Sequence, residues 1–438
     1  MLRLIALNLL SFTLCFIFFC SFQTIKKVEI VHNKSNIPDT TAPNLLEKIL
    51  KKDTSLAYYL KKSADLKIQI IYTKIDRNKS NNPICKDYFY NVDSSSYFYP
   101  ASTVKLPTAL LALEKLNTLD IQSLNPSSIM ITEKDNGLQT SVYNDPSSID
   151  GKPSVEQYVK KIFLVSDNDA MNRLYEFVGQ QPLNESLHAK GYNEAQIIHR
   201  LSISLSEDEN RRTNPVYFLD STGKKVFEQQ GQFSHLPYFN RNNKIGNGYL
   251  SNGKLINEPL DFSRKNRINL LSLHNILKSV MFPAIFPQNQ RFNLSEKDLL
   301  LVRKSMSQFP TESLYPAYPA PEFYPTYCKF LFYGAEKDAQ LIPDLRIFNK
   351  VGDAYGFLID LAYVADFKNN IEFMLSAVIY CNADGILNDD KYEYDSIGFP
   401  FLKKLGLAVY NYELKRKRKF APDLTSFKIN YTQAPSNK

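Results

Sequence analysis

Strand-like runs stand at both ends of this chain and helix-like runs fill the space between them. That distribution limits the fold more than any other feature. Near the start, "LKIQIIYTKI" (66–75) has the alternating, β-branched character of a strand, and strand character returns at "DYFYNV". Near the end, "RIFNKVGDAYGFLIDLAYVADFKNNIEFMLSAVIYCN" predicts two or three antiparallel strands. Between these lie a predicted helix over 102–116 and a mostly helical stretch to about Lys190 that includes "SVEQYVKKIFLVSDNDAMNRLYEFVG". "NRINLLSLHNILKSVM" and "SEKDLLLVRKSMSQF" add two more helices, and "NLLEKILKK" and "GFPFLKKLGLAVYNYELKRKRK" place one at each end. The pattern predicts an α/β architecture of the segregated, α+β kind. An antiparallel sheet is built from both chain ends and flanked by helices, with an inserted all-helical subdomain. A site belongs in the cleft between them. Residues 214–260 change character, with hairpin patterns at "PVYFLDSTGKKVFEQQG" and "GNGYLSNGKLIN". They read as an insertion in a domain running over 43–412.

The segments outside that domain bear on where the protein works. One basic residue precedes an apolar run from Leu4 to Phe22. It reads as an export signal, a lipoprotein signal with Cys20 as the modified residue, or a retained anchor. Each option places the domain in the periplasm or cell envelope, the last two with membrane attachment. Residues 23–42 read as a linker and 413–438 as a basic tail, with "KRKRK" at 415–419 as solvated charge. A net charge of +8 over 438 residues is mild, and no basic stripe alternates with aromatics, so nucleic acid is not an expected partner. Of five cysteines, two lie in the apolar N-terminal run, which leaves at most one internal disulfide. There is no C-x-x-C, and the five histidines lack ligand spacing, so no metal or other cofactor is expected. The expected state is a monomer.

Ser102 and Lys105 open a strongly apolar helix in "YPASTVKLPTALLALEKL". Three residues make about one turn, so their side chains share a face. A buried lysine sheds its proton readily, and a basic amine activates a neighbouring hydroxyl. The bland alternative is a serine cap and a lysine reaching for water. Two other Ser-x-x-Lys spacings, Ser221–Lys224 and Ser251–Lys254, fall in glycine-containing hairpin turns and need no chemical reading. Downstream, Ser166-Asp167-Asn168 lies between an apolar run and a helix, and Lys350-Val351-Gly352 lies on a strand. A rival Lys244-Ile245-Gly246 has no strand pattern after it.

Three such motifs in this order resemble the S-x-x-K, S-D-N and K-T-G signature of the β-lactamase and penicillin-binding-protein superfamily, nearest to the class A β-lactamase-like serine hydrolases. The resemblance extends over roughly 44–408 and is weakest over 214–260. It implies that Ser102 attacks a carbonyl and forms an acyl-enzyme, with Lys105 taking the proton. By the same resemblance Ser166 relays a proton to the leaving nitrogen and Asn168 orients the substrate amide. Lys350 would draw the substrate carboxylate, Gly352 would let the strand approach, and the backbone N–H groups of Ser102 and Asp353 would form the oxyanion hole. The implied ligand is a β-lactam or a peptide ending in a D-amino acid.

The chain departs from the family in two places. The middle residue of the third motif is Val351 rather than Thr or Ser. Five residues after Arg200-Leu201, where class A enzymes carry the glutamate that activates the deacylating water, this chain has Leu205. The nearest carboxylates are Glu207, Asp208 and Glu209, of which Glu207 and Glu209 are the candidate bases. Three functions follow as expectations: β-lactam hydrolysis, D,D-peptidase action on cell-wall peptides, or a non-hydrolytic binder or sensor that stays occupied.

Overall fold

Every residue of Phe357–Asp366 and of Ile371–Tyr380 is buried, as expected of apolar strands covered on both faces. The computed structural model describes residues 44–135 and 139–431. The export segment, the linker, Cys15 and Cys20 therefore lie outside the described residues. Five antiparallel strands form the main sheet, in the order Leu345–Ala354, Phe357–Asp366, Ile371–Tyr380, Gln69–Arg77 and Pro83–Tyr90. Both chain ends thus contribute, and the N-terminal strand pairs with Ile371–Tyr380 through Ile71 opposite Ser376.

Side chains alternate across this sheet between two cores. On one face Leu358, Ala362 and Val364 pack with the helices Leu45–Lys52 and Phe399–Lys415. On the other, Phe357, Ile359, Leu361 and Tyr363 meet the larger helical half, including Leu270–Met281 and Glu296–Ser307. At its centre runs the helix Lys105–Leu119, buried at every position from Lys105 to Leu113. Its neighbours begin at side-chain caps that satisfy otherwise orphaned amides: Ser154 accepts from Gln157 N and Asp167 from Ala170 N.

The structure differs from the sequence reading in four places. The helical half also holds a small antiparallel sheet, because Ile129–Thr132 pairs with the hairpin Val216–Leu219 and Lys225–Gln229. The central helix starts later than predicted, after a 3-10 turn over Ala101–Val104. Lys244–Ile245 forms a two-residue strand against Leu260–Asp261, and a strand does follow it, Gly248–Ser251, paired with Lys254–Ile256. The run at 415–419 is not wholly solvated charge. Arg416 and Arg418 both turn back to the buried carboxylate of Glu413, and Arg416 also reaches Asp76. A carboxylate buried at the end of a helix needs such partners.

Candidate active site

The turn Ala101–Val104 presents a single half-exposed residue, Ser102, between buried neighbours. Thr103 closes it, its N–H and hydroxyl both donating to Pro100 O at 3.0 and 2.5 Å. Ala101 takes a left-handed backbone, φ +47°, which costs an alanine about 1 kcal/mol. The turn therefore holds strain just before the serine, a feature that gathers at functional sites.

One turn on, Lys105 Nζ lies 2.8 Å from Ser102 Oγ. It also lies 2.5 Å from Ser166 O, 2.6 Å from Asn168 Oδ1 and 3.1 Å from Ser166 Oγ. Lys105 is fully buried and has no carboxylate in ion-pair contact among the described residues. Burial, and then the charge of Lys350, push its amine well below the usual lysine range. A neutral amine suits these partners. It donates to Ser166 O and Asn168 Oδ1 and keeps a lone pair for the Ser102 hydroxyl.

Ser166 sits where two helices meet. It ends Val155–Val165 in a left-handed conformation, φ +60°, and Asp167 caps Asn168–Val178. The corner is thus an ordinary helix junction as well as a chemical site. Lys350 Nζ reaches Ser166 Oγ at 2.8 Å and donates to Val351 O at 2.7 Å. Burial lowers the Lys350 amine to about 8, against the raising influence of Cys328, Asp353 and Asp360. One serine hydroxyl therefore bridges two buried lysines from opposite walls of the cleft.

Gly352 makes that closure possible. A Cβ there would stand 3.0 Å from the amide nitrogens of both Ser102 and Thr103, and 3.1 Å from Pro100 O. The strand backbone packs directly on the serine turn, closer than a Cβ normally stands to backbone. Asp353 follows at the cleft mouth. It is open to the cleft, yet the surrounding walls push its carboxyl up, against the lowering influence of Lys350 and Lys105.

Two lobes flank Ser102, of about 640 and 390 Å³, and Ser102, Asn168, Ser202 and Asp353 line both. The sequence reading missed several of the residues here. Ser202 accepts from Asn168 Nδ2 at 2.7 Å. Tyr324, Tyr327 and Cys328 line the larger lobe, and Tyr99, Tyr355, Tyr392 and Tyr394 the smaller. With 27 tyrosines in the chain, tyrosine content carried no signal for them. The Asn388–Tyr394 segment reaches the site only through the fold.

The loop after Arg200 is anchored from below. Arg200 Nε donates to buried Glu176 at 2.8 Å, and its Nη2 donates to Arg212 O at 2.6 Å. Glu176 also accepts from Asn214 N. The candidate bases do not come into the cleft. Glu209 is taken up by Ser206, in a capping box that starts the short helix Glu207–Arg211. Glu207 pairs with Arg211 and Arg264 on the surface. Neither lines either lobe. Helix capping and surface ion pairs claim both carboxylates.

No group of three or more His, Cys, Asp or Glu side chains suited to a metal occurs among the described residues. Cys85, Cys328 and Cys381 are free thiols. Among the described residues no helix is long and apolar enough to cross a membrane.

Residues 46–222 match the family described as the β-lactamase enzyme family. The matched stretch takes in the Ser102 turn, the Ser166–Asn168 corner and the loop after Arg200, and ends before Lys350. Similar solved structures include a β-lactamase from Sphaerobacter thermophilus, at 10% identity over 82% of this chain and 95% of that one, TM-score 0.45. Another is a β-lactamase from Burkholderia ambifaria, at 14% identity over 81% and 97%, TM-score 0.45. A third is a class A β-lactamase from Clostridium kluyveri, at 13% identity over 81% and 98%, TM-score 0.45. No curated protein matches. The chain resembles the β-lactamase/transpeptidase-like serine hydrolases.

Proposed function

We propose that this protein is an exported serine hydrolase that forms an acyl-enzyme through Ser102 and releases it slowly. The observation that carries the reading is the 2.8 Å contact between Ser102 Oγ and a buried Lys105 amine that shares Ser166 with Lys350. The Ser102 oxygen bonds to the substrate carbonyl carbon, and its proton passes to Lys105 Nζ. The backbone N–H groups of Ser102 and Asp353 receive the tetrahedral oxygen. When the carbon–nitrogen bond breaks, the proton returns through Ser166 Oγ to the leaving nitrogen. Asn168 holds the substrate amide. The substrate is a β-lactam or a peptide with a terminal D-amino acid.

Deacylation needs a base for water. Leu205 offers none, and Glu207 and Glu209 are engaged elsewhere. The acyl-enzyme is therefore long-lived, which also favours a binder or sensor that stays occupied. Intact mass after mixing with benzylpenicillin tests both steps. The expected result is an adduct that outlasts free drug and is absent from Ser102→Ala. Lys105→Ala should slow its formation by ~100-fold or more, the scale of a lost base. Rapid loss of the adduct would refute slow release, and labelling of Ser102→Ala would refute the nucleophile.

A further inference from the structure

The charges of the cleft are divided by depth. The two lysines lie at its floor, fully buried. At its mouth the only charged side chains lining either lobe among the described residues are carboxylates: Glu336, Asp353 and Asp395 in the larger, Asp353 and Asp390 in the smaller. Glu336 is matched by Lys403 at 2.6 Å. Asp353, Asp390 and Asp395 have no hydrogen-bond or ion-pair partner for their side chains among the described residues. Of these carboxylates, Asp353 is the one that borders both lobes, and it directly follows the glycine that packs on the Ser102 amide.

The smaller lobe adds a second kind of wall. Tyr99, Tyr355, Tyr392 and Tyr394 line it together with Asp353 and Asp390. Tyr99 and Tyr355 meet edge to face at 5.0 Å, and Tyr392 and Tyr394 lie 5.4 Å apart, so each ring is held by another. Aromatic faces and carboxylates together attract an ammonium group. A carboxylate in the same place would face like charge with no arginine or lysine on the lobe wall to offset it.

We propose that Asp353 is the specificity-determining residue of this cleft, and that the substrate presents an ammonium group to it in the tyrosine-lined lobe. The proposal rests on the cleft around Ser102 being the substrate site, as in the acyl-enzyme reading. Its test separates binding from chemistry. Three penicillins that share the nucleus and the phenyl ring, α-aminobenzyl-, benzyl- and α-carboxybenzylpenicillin, are titrated calorimetrically against Ser102→Ala. The expected order of affinity is amino, then neutral, then carboxy, with ~10-fold or more between the extremes. Adding Asp353→Asn should bring the three within about threefold of one another. In Ser102→Ala with Asp353 intact, raising the salt concentration should narrow the spread, because these charges reach solvent. Equal affinities, the reverse order, a spread that survives Asp353→Asn, or one that ignores salt would each overturn the proposal. The salt series does not depend on Asp353→Asn folding. Failure of the acyl-enzyme reading is read separately, as absence of an adduct on the wild-type chain.

Discussion

Acylation should follow a bell-shaped pH profile, and Lys350→Arg should remove its basic side. In the proposed reaction, acylation needs Lys105 neutral, to take the Ser102 proton, and Lys350 charged, to hold Ser166 and stabilise negative charge. A lysine is charged below its pKa and neutral above it. Burial and the neighbouring Lys350 hold Lys105 well below the usual range, so the rate rises as pH climbs through that depressed value. Lys350 loses its proton at about 8, so the rate falls beyond it. One unit above that value, at pH ~9, roughly a tenth of Lys350 stays charged and acylation should be ~10-fold below its plateau. A guanidinium remains charged past pH 12, so Lys350→Arg should keep its own, lower plateau through pH ~10. The assay is the single-turnover rate of adduct formation with benzylpenicillin, read by quenched mass spectrometry from pH 5 to 10. A wild-type rate that stays flat between pH 7 and 10 would refute the argument. So would an unchanged basic limb in Lys350→Arg.

Gly352→Ala should cut acylation by ~100-fold or more while shifting the urea midpoint little. Its Cβ would press on the Ser102 and Thr103 amides, which are backbone and cannot swing away. A wild-type acylation rate in Gly352→Ala would show that the strand does not set the nucleophile's position. Glu176→Gln leaves the buried Arg200 guanidinium without its counter-charge and should lower stability by about 3–5 kcal/mol in urea unfolding. A loss under 1 kcal/mol would mean that the pair does not anchor the loop. Stability should rise with pH from ~8 towards 10. Lys115 and Lys350 titrate at about 8 when folded and near 10.5 when unfolded, so the unfolded chain binds more protons in that window. A urea midpoint that falls between pH 8 and 9.5 would contradict this.

The Ser102–Lys105 spacing was legible because it is local. A single tight turn, Ala101–Val104, brings Ser102 to Lys105 at the helix start, and Ser166-Asp167-Asn168 marks a helix junction by capping chemistry alone. The runs at 357–366 and 371–380 likewise read as antiparallel strands, while their burial on both faces came only with the fold. Residues with no local signature were missed or misread. Glu207 and Glu209 stand near the expected loop position in sequence. Whether they face the cleft depends on which partners the fold offers, and Ser206, Arg211 and Arg264 hold them away. Arg416 and Arg418 look like a free tail until the sheet edge brings Asp76 beside the buried Glu413.

The sequence by itself thus determined the elements and the order of the three motifs, since helix and strand periods and cap residues act between near neighbours. Only the tertiary structure decided that Ser166 stands between Lys105 and Lys350, 184 residues from the latter. It also decided that Tyr99 joins Tyr355, Tyr392 and Tyr394 on the wall of one lobe and that, among the described residues, the charged side chains lining the two lobes are carboxylates. The reason is physical: the charge state of a buried lysine and the fit of a lobe depend on everything packed around them, and that packing joins chain segments with no relation in sequence.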